Sequence, residues 1–393
     1  MNYLKRTWAE IWLDNVKYNW EQIKKSADGR FICPVIKADA YGHGADYLAK
    51  FYQENGADYF AVSNINEAIK LRESGITTDI LILGYTPIEN VELLIKYNIT
   101  QTVFCYDYCL MLSKVAVEND SKIKVHIKLD TGMCRIGFNA RTEEFTDIDS
   151  VINCLKLPNL YFEGIMTHFS SADSISSDDI DFSDKQYSLF MNAVNTLKSD
   201  GYNFKFIHCC NSGATALRST NNGNFIRPGI ILYGLSPAFS LDIGYTPKPI
   251  MSLKSSVAMI KEINVGDAVS YGRTFISDRK MLVATIPVGY ADGYPRALSN
   301  CGKVLINGKF ANIIGRVCMD QITVDISDID NVQIGTEVVL IGNQGNNSIT
   351  FDDIAMQCNT ISYEIMCNIS VRVPRVYIED NNVIEVAYLG GKL

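Results

Sequence analysis

The sequence predicts an α/β protein, a (β/α)8 TIM-like barrel followed by a mainly β C-terminal domain. Two observations predict it. From residue 31 onward one unit returns roughly every 25 to 35 residues: a β-branched or aromatic run, a polar loop, then an amphipathic segment. Eight strand-then-helix units in succession are the signature of a barrel. Beyond about residue 235 the rhythm shortens to alternating segments such as SSVAMIKEI, KMLVATIPV, KVLIN, QITVDIS and EVVLIG, separated by Gly, Asn and Asp turns, which reads as an all-β domain.

The barrel strands are expected at 31–37, 58–63, 79–84, 99–104, 122–130, 161–168, 204–211 and 225–233. Helix starts follow several of them. Asn64-x-x-Glu67 and Thr86-Pro87-x-Glu89 read as capping boxes, the second with proline at the first helical position, where an N–H is not needed. Ala68, Ile69 and Arg72, and then Val91, Leu94 and Ile95, recur at helical spacing. The Ser/Asp-rich stretch 170–184 reads as an exposed loop entering a helix. In the second domain the helix signal is confined to 351–360, where an acidic first turn suits a helix N-terminus. Residues 1–11 read as a strand that pairs with the second domain. The expected division is therefore a barrel over 12–238, and 1–11 plus 239–393 as the β-rich domain.

At 393 residues, 47% hydrophobic and 20% charged, the chain has ordinary globular composition and is too long for one ordinary core. A net charge of −8 argues against nucleic acid and anionic membrane surfaces, both of which demand basic patches. A small-molecule partner fits better. The N-terminus carries charges and tryptophans where a signal peptide has an apolar core, and no run reaches transmembrane length, so a cytoplasmic location is expected. Eleven scattered cysteines suggest neither a disulfide framework nor a zinc site. Cys209 and Cys210 beside His208 fit a buried strand better than a metal centre.

The stretch FICPVIKADAYGHG, residues 31–44, organises the rest. An apolar run of this length bounded by glycines fits a strand buried on both faces, and Lys37 ends it abruptly. Lysine is rarely buried unpaired. One that loses hydration has a lowered pKa, as a Schiff-base lysine requires; the plain alternative is a lysine that snorkels from a strand end.

Barrel chemistry collects at the C-terminal ends of the strands. There the sequence places Lys37 and Tyr41, Lys128 and Asp130, His168, Asn211 and Ser212, and Arg227. Singly, His168 could be a satisfied core histidine, Arg227 could pair with any acid, and Ser212-Gly213 could merely cap a helix. Together they gather on one face. The loops after strands seven and eight, the usual phosphate cradle of this fold, offer Ser212-Gly213 and Pro228-Gly229-Ile230. A Schiff-base lysine with a phosphate cradle points to pyridoxal 5'-phosphate.

The segments VIKADAYGHG, KLDTGMCRIG, THFSSAD, NSGA, RPGIILYG, VSYGR, VGYADG, GRVCMDQ and SYEI resemble, in order and over nearly the whole chain, the motifs of the fold-type III alanine racemases. The resemblance implies an amino-acid racemase that interconverts L- and D-alanine and supplies D-alanine for cell-wall peptidoglycan. Lys37 would bind the cofactor and act as base on one face of the substrate Cα. Tyr271 would act on the other face, reaching into the partner subunit of a homodimer. Tyr41, Ser212, Gly229, Ile230 and Tyr363 would hold the phosphate, with Asn211 beside them. Arg227 would meet the pyridine nitrogen, and His168 would lie beside the ring and orient the tyrosine or the arginine. Arg135 would contact the phenolic oxygen and, with Met319 and Asp320 of the partner subunit, the substrate carboxylate. Lys128 matches a lysine that is carbamylated in many members.

These residue types agree with the chemistry. Arginine keeps its proton, with a pKa above about 12, so it cannot protonate a pyridine nitrogen, and the burden falls on two well-placed bases. A tyrosine base, ordinarily near a pKa of about 10, needs a neighbouring cation or histidine. One departure is Cys134, where the family usually has glycine before the arginine. Fold-type III decarboxylases typically bring a GGG loop and a CxxxD acid, neither of which is found here. Non-catalytic pyridoxal-phosphate proteins lack the β domain. Racemases preferring serine share nearly every motif and remain the nearest alternative.

Overall fold

The computed structural model describes residues 3–217, 223–238 and 242–388. The chain divides into two compact units: Tyr18–Ala40 with Ala45–Pro247, and Met1–Lys17 with Tyr41–Gly44 and Lys248–Leu393.

In the first unit a strand lies within or beside each of the eight expected spans: Phe31–Ile32, Tyr59–Val62, Asp79–Ile82, Thr100–Val103, Ile123–Asp130, Leu160–Met166, Phe206–His208 and Phe225–Ile226. The six from Tyr59–Val62 to Phe206–His208 pair in parallel and in chain order. The first and last pair with each other, also in parallel. Single bridges, Val35 with Ala61 and Cys210 with Ile226, complete the ring.

The two strands at this seam are much shorter than their apolar runs. Pro34 and Pro228 have no N–H to donate, so each ladder is interrupted there. Their carbonyls still serve, Pro34 accepting the Ala61 N–H at 3.0 Å and Pro228 the Val35 N–H at 2.8 Å. The expected strand 225–233 therefore ends early, and Ile230–Tyr233 is a 3-10 turn.

The capping expectations need correction. Asn64 does cap helix Ile65–Glu73, accepting the Glu67 N–H at 3.1 Å. The Glu67 carboxylate does not return to Asn64, however; it accepts the N–H groups of Ser63 and Ala38. Thr86 caps nothing. It is buried, its hydroxyl donates to Gln101 at 2.7 Å, and a 3-10 turn, Ile88–Asn90, follows Pro87 without a side-chain cap. The Ser/Asp-rich stretch enters the long helix Ser177–Ser199, capped by Ser176.

The second unit is built on an eleven-stranded sheet. Strand Thr7–Trp12 sits inside it, antiparallel to Met251–Ser256 and parallel to Arg375–Glu379. The helix Phe351–Gln357 starts from a complete capping box in which Thr350 accepts the Asp353 N–H and Asp353 accepts that of Thr350.

Candidate active site

The first barrel strand ends where the Ile36 N–H bonds to Ala61 O at 3.0 Å. Lys37 follows, half-buried, and the chain then winds with the opposite hand to an ordinary helix. φ is 50°, 54°, 53° and 53° at Ala38, Asp39, Ala40 and Tyr41, and 80° at Gly42. A left-handed turn costs about 1–2 kcal/mol per non-glycine residue, so specific contacts must hold it. Glu67 supplies one, accepting the Ala38 N–H at 2.8 Å. Asp39 supplies another, accepting the Ala45 N–H at 3.0 Å, while Lys70 lies 3.5 Å from Asp39 and 3.2 Å from Asp46. The result aims Lys37 from a fixed backbone.

Around His168 the barrel gathers positive charge. Burial, then Arg227, Lys128, Arg135 and Lys37, hold its pKa well below the ordinary histidine value, so the ring is neutral. Arg227 is buried. Its Nη1 meets His208 Nδ1 at 2.7 Å, and its Nη2 meets Thr167 O at 3.0 Å, Cys209 O at 3.3 Å and His168 Nδ1 at 3.3 Å. Because arginine only donates, His168 Nδ1 accepts, and its proton sits on Nε2. Burial together with Arg227 and Arg135 pushes Lys128 down to about 7, against the opposing pull of Asp130. The Lys128 amine donates to Leu129 O at 2.6 Å.

Asp130 shapes the loop that carries Arg135, accepting the N–H groups of Gly132 at 3.1 Å and Cys134 at 2.9 Å. Cys134 adopts the left-handed conformation, with φ of 54°, that glycine would take there at no steric cost. Its Sγ accepts from Arg141 at 3.5 Å.

The residues expected to hold a phosphate fit an anion. Ser212 Oγ accepts the Gly229 N–H at 2.7 Å, so its own proton is directed elsewhere. Ile230 opens a 3-10 turn, and its buried N–H has no acceptor among the described residues. A Cβ on Gly213 would lie 2.8 Å from the Asp173 backbone nitrogen, which only glycine avoids. Asn211 caps the short helix Ser212–Leu217, accepting the Ala214 N–H at 3.0 Å. The bonds of Arg227 use Nη1 and Nη2, and Nε has no partner among the described residues, a donor suited to an aromatic nitrogen.

The other site candidates belong to the second unit. The Tyr41 and Tyr363 rings lie 5.9 Å apart. A Cβ on Gly42 would come within 2.5 Å of Met366 O, and one on Gly44 within 2.0 Å of the Tyr377 hydroxyl, which explains both glycines of YGHG. Tyr271 is 72% exposed and Met319 52% exposed. The carbonyls of Cys318 and Met319 accept the Tyr290 and Ala291 N–H groups, each at 3.0 Å. Asp292, in the same turn, is fully buried and accepts from Arg6 and Arg372 at 2.8 Å each. Arg372 also reaches Asp320 at 2.6 Å, so one ionic cluster fixes the Met319–Asp320 loop.

A family model described as alanine racemase, N-terminal domain, matches residues 11–237, and one described as alanine racemase, C-terminal domain, matches residues 250–377. The chain belongs to the alanine racemase family. It is 45% identical over 385 residues to alanine racemase 1 of Clostridium acetobutylicum, covering 98% of each chain. It is 44% identical over 386 residues to the alanine racemase of Clostridium tetani, again covering 98% of each. Among solved structures, alanine racemase of Clostridium difficile 630 matches with a TM-score of 0.92 at 38% identity, over 99% of this chain and 100% of that one. Alanine racemase from Bacillus anthracis with bound L-Ala-P matches with a TM-score of 0.92 at 36% identity, over 99% of each.

The barrel unit of this racemase thus carries Lys37, Lys128, Arg135, His168, Asn211, Ser212, Arg227, Gly229 and Ile230 at or just beyond its strand ends, while Tyr41, Tyr271, Met319 and Tyr363 belong to the β unit. Sequence reasoning missed Asp292, Glu163 and His126, and read Glu67 only as part of a capping box and His208 only as part of a buried strand. The signal for Glu163 and His126 was present: polar residues inside otherwise apolar strands, as in IKVHIK and YFEGIM.

Proposed function

We propose that this chain, with pyridoxal 5'-phosphate, interconverts L- and D-alanine by exchanging the Cα proton between two bases, Lys37 and Tyr271 of the partner subunit. The activity itself, pyridoxal-phosphate-dependent alanine racemisation, goes with family membership over the whole chain. The bound cofactor withdraws electrons from the amino acid's Cα and makes its proton acidic. The observation that carries the residue assignment is the 3.3 Å contact of Arg227 with a neutral His168, on which Lys128, Arg135 and Lys37 also bring positive charge to bear.

Each residue then has a task. Lys37, placed by the left-handed turn, would hold the cofactor through its amine and take or return the proton on one face. Ser212, Gly229 and Ile230, with Tyr41 and Tyr363, would bind the phosphate through hydroxyl and backbone N–H donors. Arg227 would offer Nε–H to the pyridine nitrogen while keeping its own proton, which confines the chemistry to proton exchange. His168 cannot serve as a base at Nδ1, because that atom already accepts from Arg227; its Nε2–H is a donor that can stabilise a phenolate. Arg135, with Met319 of the partner subunit, would bind the substrate carboxylate.

Lys128 at a pKa of about 7 is unprotonated in a large share of molecules at neutral pH, so its amine can attack carbon dioxide. The nitrogen-to-carbon bond forms, one proton leaves, and the resulting carbamate anion would pair with Arg135. The exposure of Tyr271 and Met319 supports a homodimer with shared sites. A cytoplasmic supply of D-alanine for peptidoglycan is the role we assign. No helix among the described residues is long and apolar enough to cross a membrane.

In the substrate reading, Tyr363 together with Tyr271 and Met319 of the partner subunit would crowd the space beyond Cβ. Such a pocket rejects added methylenes but discriminates against one hydroxyl by only about a hundredfold. A panel of L-amino acids followed by deuterium uptake at Cα in heavy water tests it. Alanine is expected first, serine measurable, leucine and lysine negligible. Faster exchange with serine than with alanine would move the assignment to a serine racemase, and release of carbon dioxide would move it to a decarboxylase.

A further inference from the structure

A line of polar side chains runs through the apolar interior of the barrel unit. The Tyr59 hydroxyl donates to Glu163 Oε1 at 2.7 Å, and Thr100 lies against both. Glu163 Oε1 is 3.6 Å from His126 Nε2, His126 Nδ1 is 2.9 Å from His208 Nε2, and His208 Nδ1 is 2.7 Å from Arg227 Nη1. Glu163 and both histidines are buried. The rings have little freedom: a Cβ on Gly164 would lie 2.6 Å from the His126 ring, and the Phe225 ring centroid is 4.5 Å from that of His208.

The two ends fix the direction of every bond between them. Arg227 can only donate, so His208 Nδ1 accepts, and a neutral His208 carries its proton on Nε2. That proton points at His126 Nδ1, which must also accept, leaving the His126 proton on Nε2. Nε2 has no hydrogen-bond partner among the described residues; at 3.6 Å Glu163 is too far for a strong bond, but it is a charged acceptor facing that proton. Burial keeps both rings neutral, His208 well below the ordinary histidine value. Burial disfavours the Glu163 carboxylate, yet the interactions with His126 and Tyr59 outweigh it and hold its pKa below the usual carboxylate range.

We propose that Glu163 is a positioning residue for Arg227: its carboxylate faces the last N–H of a one-way chain through His126 and His208, whose tautomers the Arg227 end sets, and so holds both rings and the guanidinium in one orientation. The chain ties up Nη1, while Thr167 O, Cys209 O and His168 tie up Nη2, and Nε is presented alone. The catalytic consequence rests on the reading of Arg227 as the cofactor's pyridine contact; the chain itself does not.

The protein contains only four histidines, so 15N labelling of their rings in the full-length chain resolves each one. His126 and His208 are expected as Nε2–H tautomers on both sides of the pH, about 6.5, at which a free histidine titrates. Either ring as an imidazolium or an Nδ1–H tautomer would overturn the proposal. In Glu163→Leu the acceptor facing His126 Nε2–H is gone: Arg227 still sets the tautomers, but the His126 ring resonances shift, and kcat falls by about tenfold or more while KM for alanine stays within about threefold. Glu163→Gln keeps an accepting oxygen and restores the wild-type rings and most of kcat; if the leucine variant does not fold, this variant and the wild-type rings decide. Unchanged rings in Glu163→Leu contradict the chain. Altered rings with unchanged kcat would keep the chain and sink the assignment of Arg227 to the cofactor.

Discussion

The Glu67 carboxylate accepts the backbone N–H of Ala38 at 2.8 Å, one residue past Lys37, and so ties a helix N-terminus to the left-handed turn that aims the lysine. With its other oxygen it holds the Ser63 N–H at 2.7 Å. Glu67→Ala removes both bonds. Charge-assisted bonds to a half-buried carboxylate contribute about 1–2 kcal/mol in total after allowance for solvent. The variant is expected to unfold at lower urea by that amount, and to lose more activity than stability, because the turn relaxes around Lys37. A variant with wild-type kcat and unchanged cofactor absorbance would show that the turn holds itself.

Lys128 gives the stability a pH dependence of known sign. Its folded pKa, about 7, lies below the value of 10.5 for an unperturbed lysine. Between these values the unfolded chain binds the extra proton, so stability rises with pH, by up to about 1.4 kcal/mol per unit, and the full penalty is present below the folded value. In buffer free of carbon dioxide, wild type should gain on Lys128→Met between neutral and alkaline pH, as read by urea titrations. Added bicarbonate should flatten the difference if the amine becomes a carbamate, and mass spectrometry at neutral or higher pH should show the added carbon dioxide. A flat difference in both buffers contradicts the lowered pKa.

Asp292 is the acid that orders the Met319 loop. Burial raises its pKa, but the bonds from Arg372 and Arg6 outweigh that and lower it overall. The stability it contributes is therefore present above the unfolded value of about 3.9 and is lost as pH falls below it. Asp292→Asn should cost about 2–3 kcal/mol at neutral pH, less than a fully buried pair, because Arg6 and Arg372 are 33% and 40% exposed. Denaturation at neutral pH and again below about pH 3 checks both the size and the direction. KM for alanine should rise with it, since Arg372 and Arg6, which reach Asp320, then hold the Met319–Asp320 loop less firmly.

Much of the barrel and its site was legible because parallel strands buried on both faces read as unbroken apolar runs, against which Lys37, Lys128 and Arg227 stand out. The left-handed turn was not legible. Ala38, Asp39 and Ala40 carry no strong local preference for positive φ, and only the tertiary contacts from Glu67 and Lys70 impose it. The Thr86 capping box failed for a related reason: the hydroxyl finds Gln101 across the loop, a competitor that spacing cannot reveal. Glu163 and His126 were hidden inside strands whose apolar neighbours dominate the pattern, and their partnership becomes visible only when the barrel closes.

Proton exchange through two bases on opposite faces, Lys37 and Tyr271, is tested most directly by Cα exchange in heavy water with Tyr271→Phe, started separately from L-alanine and D-alanine. The variant is expected to fold and keep the cofactor, to lose exchange from one enantiomer, and to retain exchange from the other through Lys37. Equal loss from both enantiomers, or equal retention, would contradict a two-base exchange.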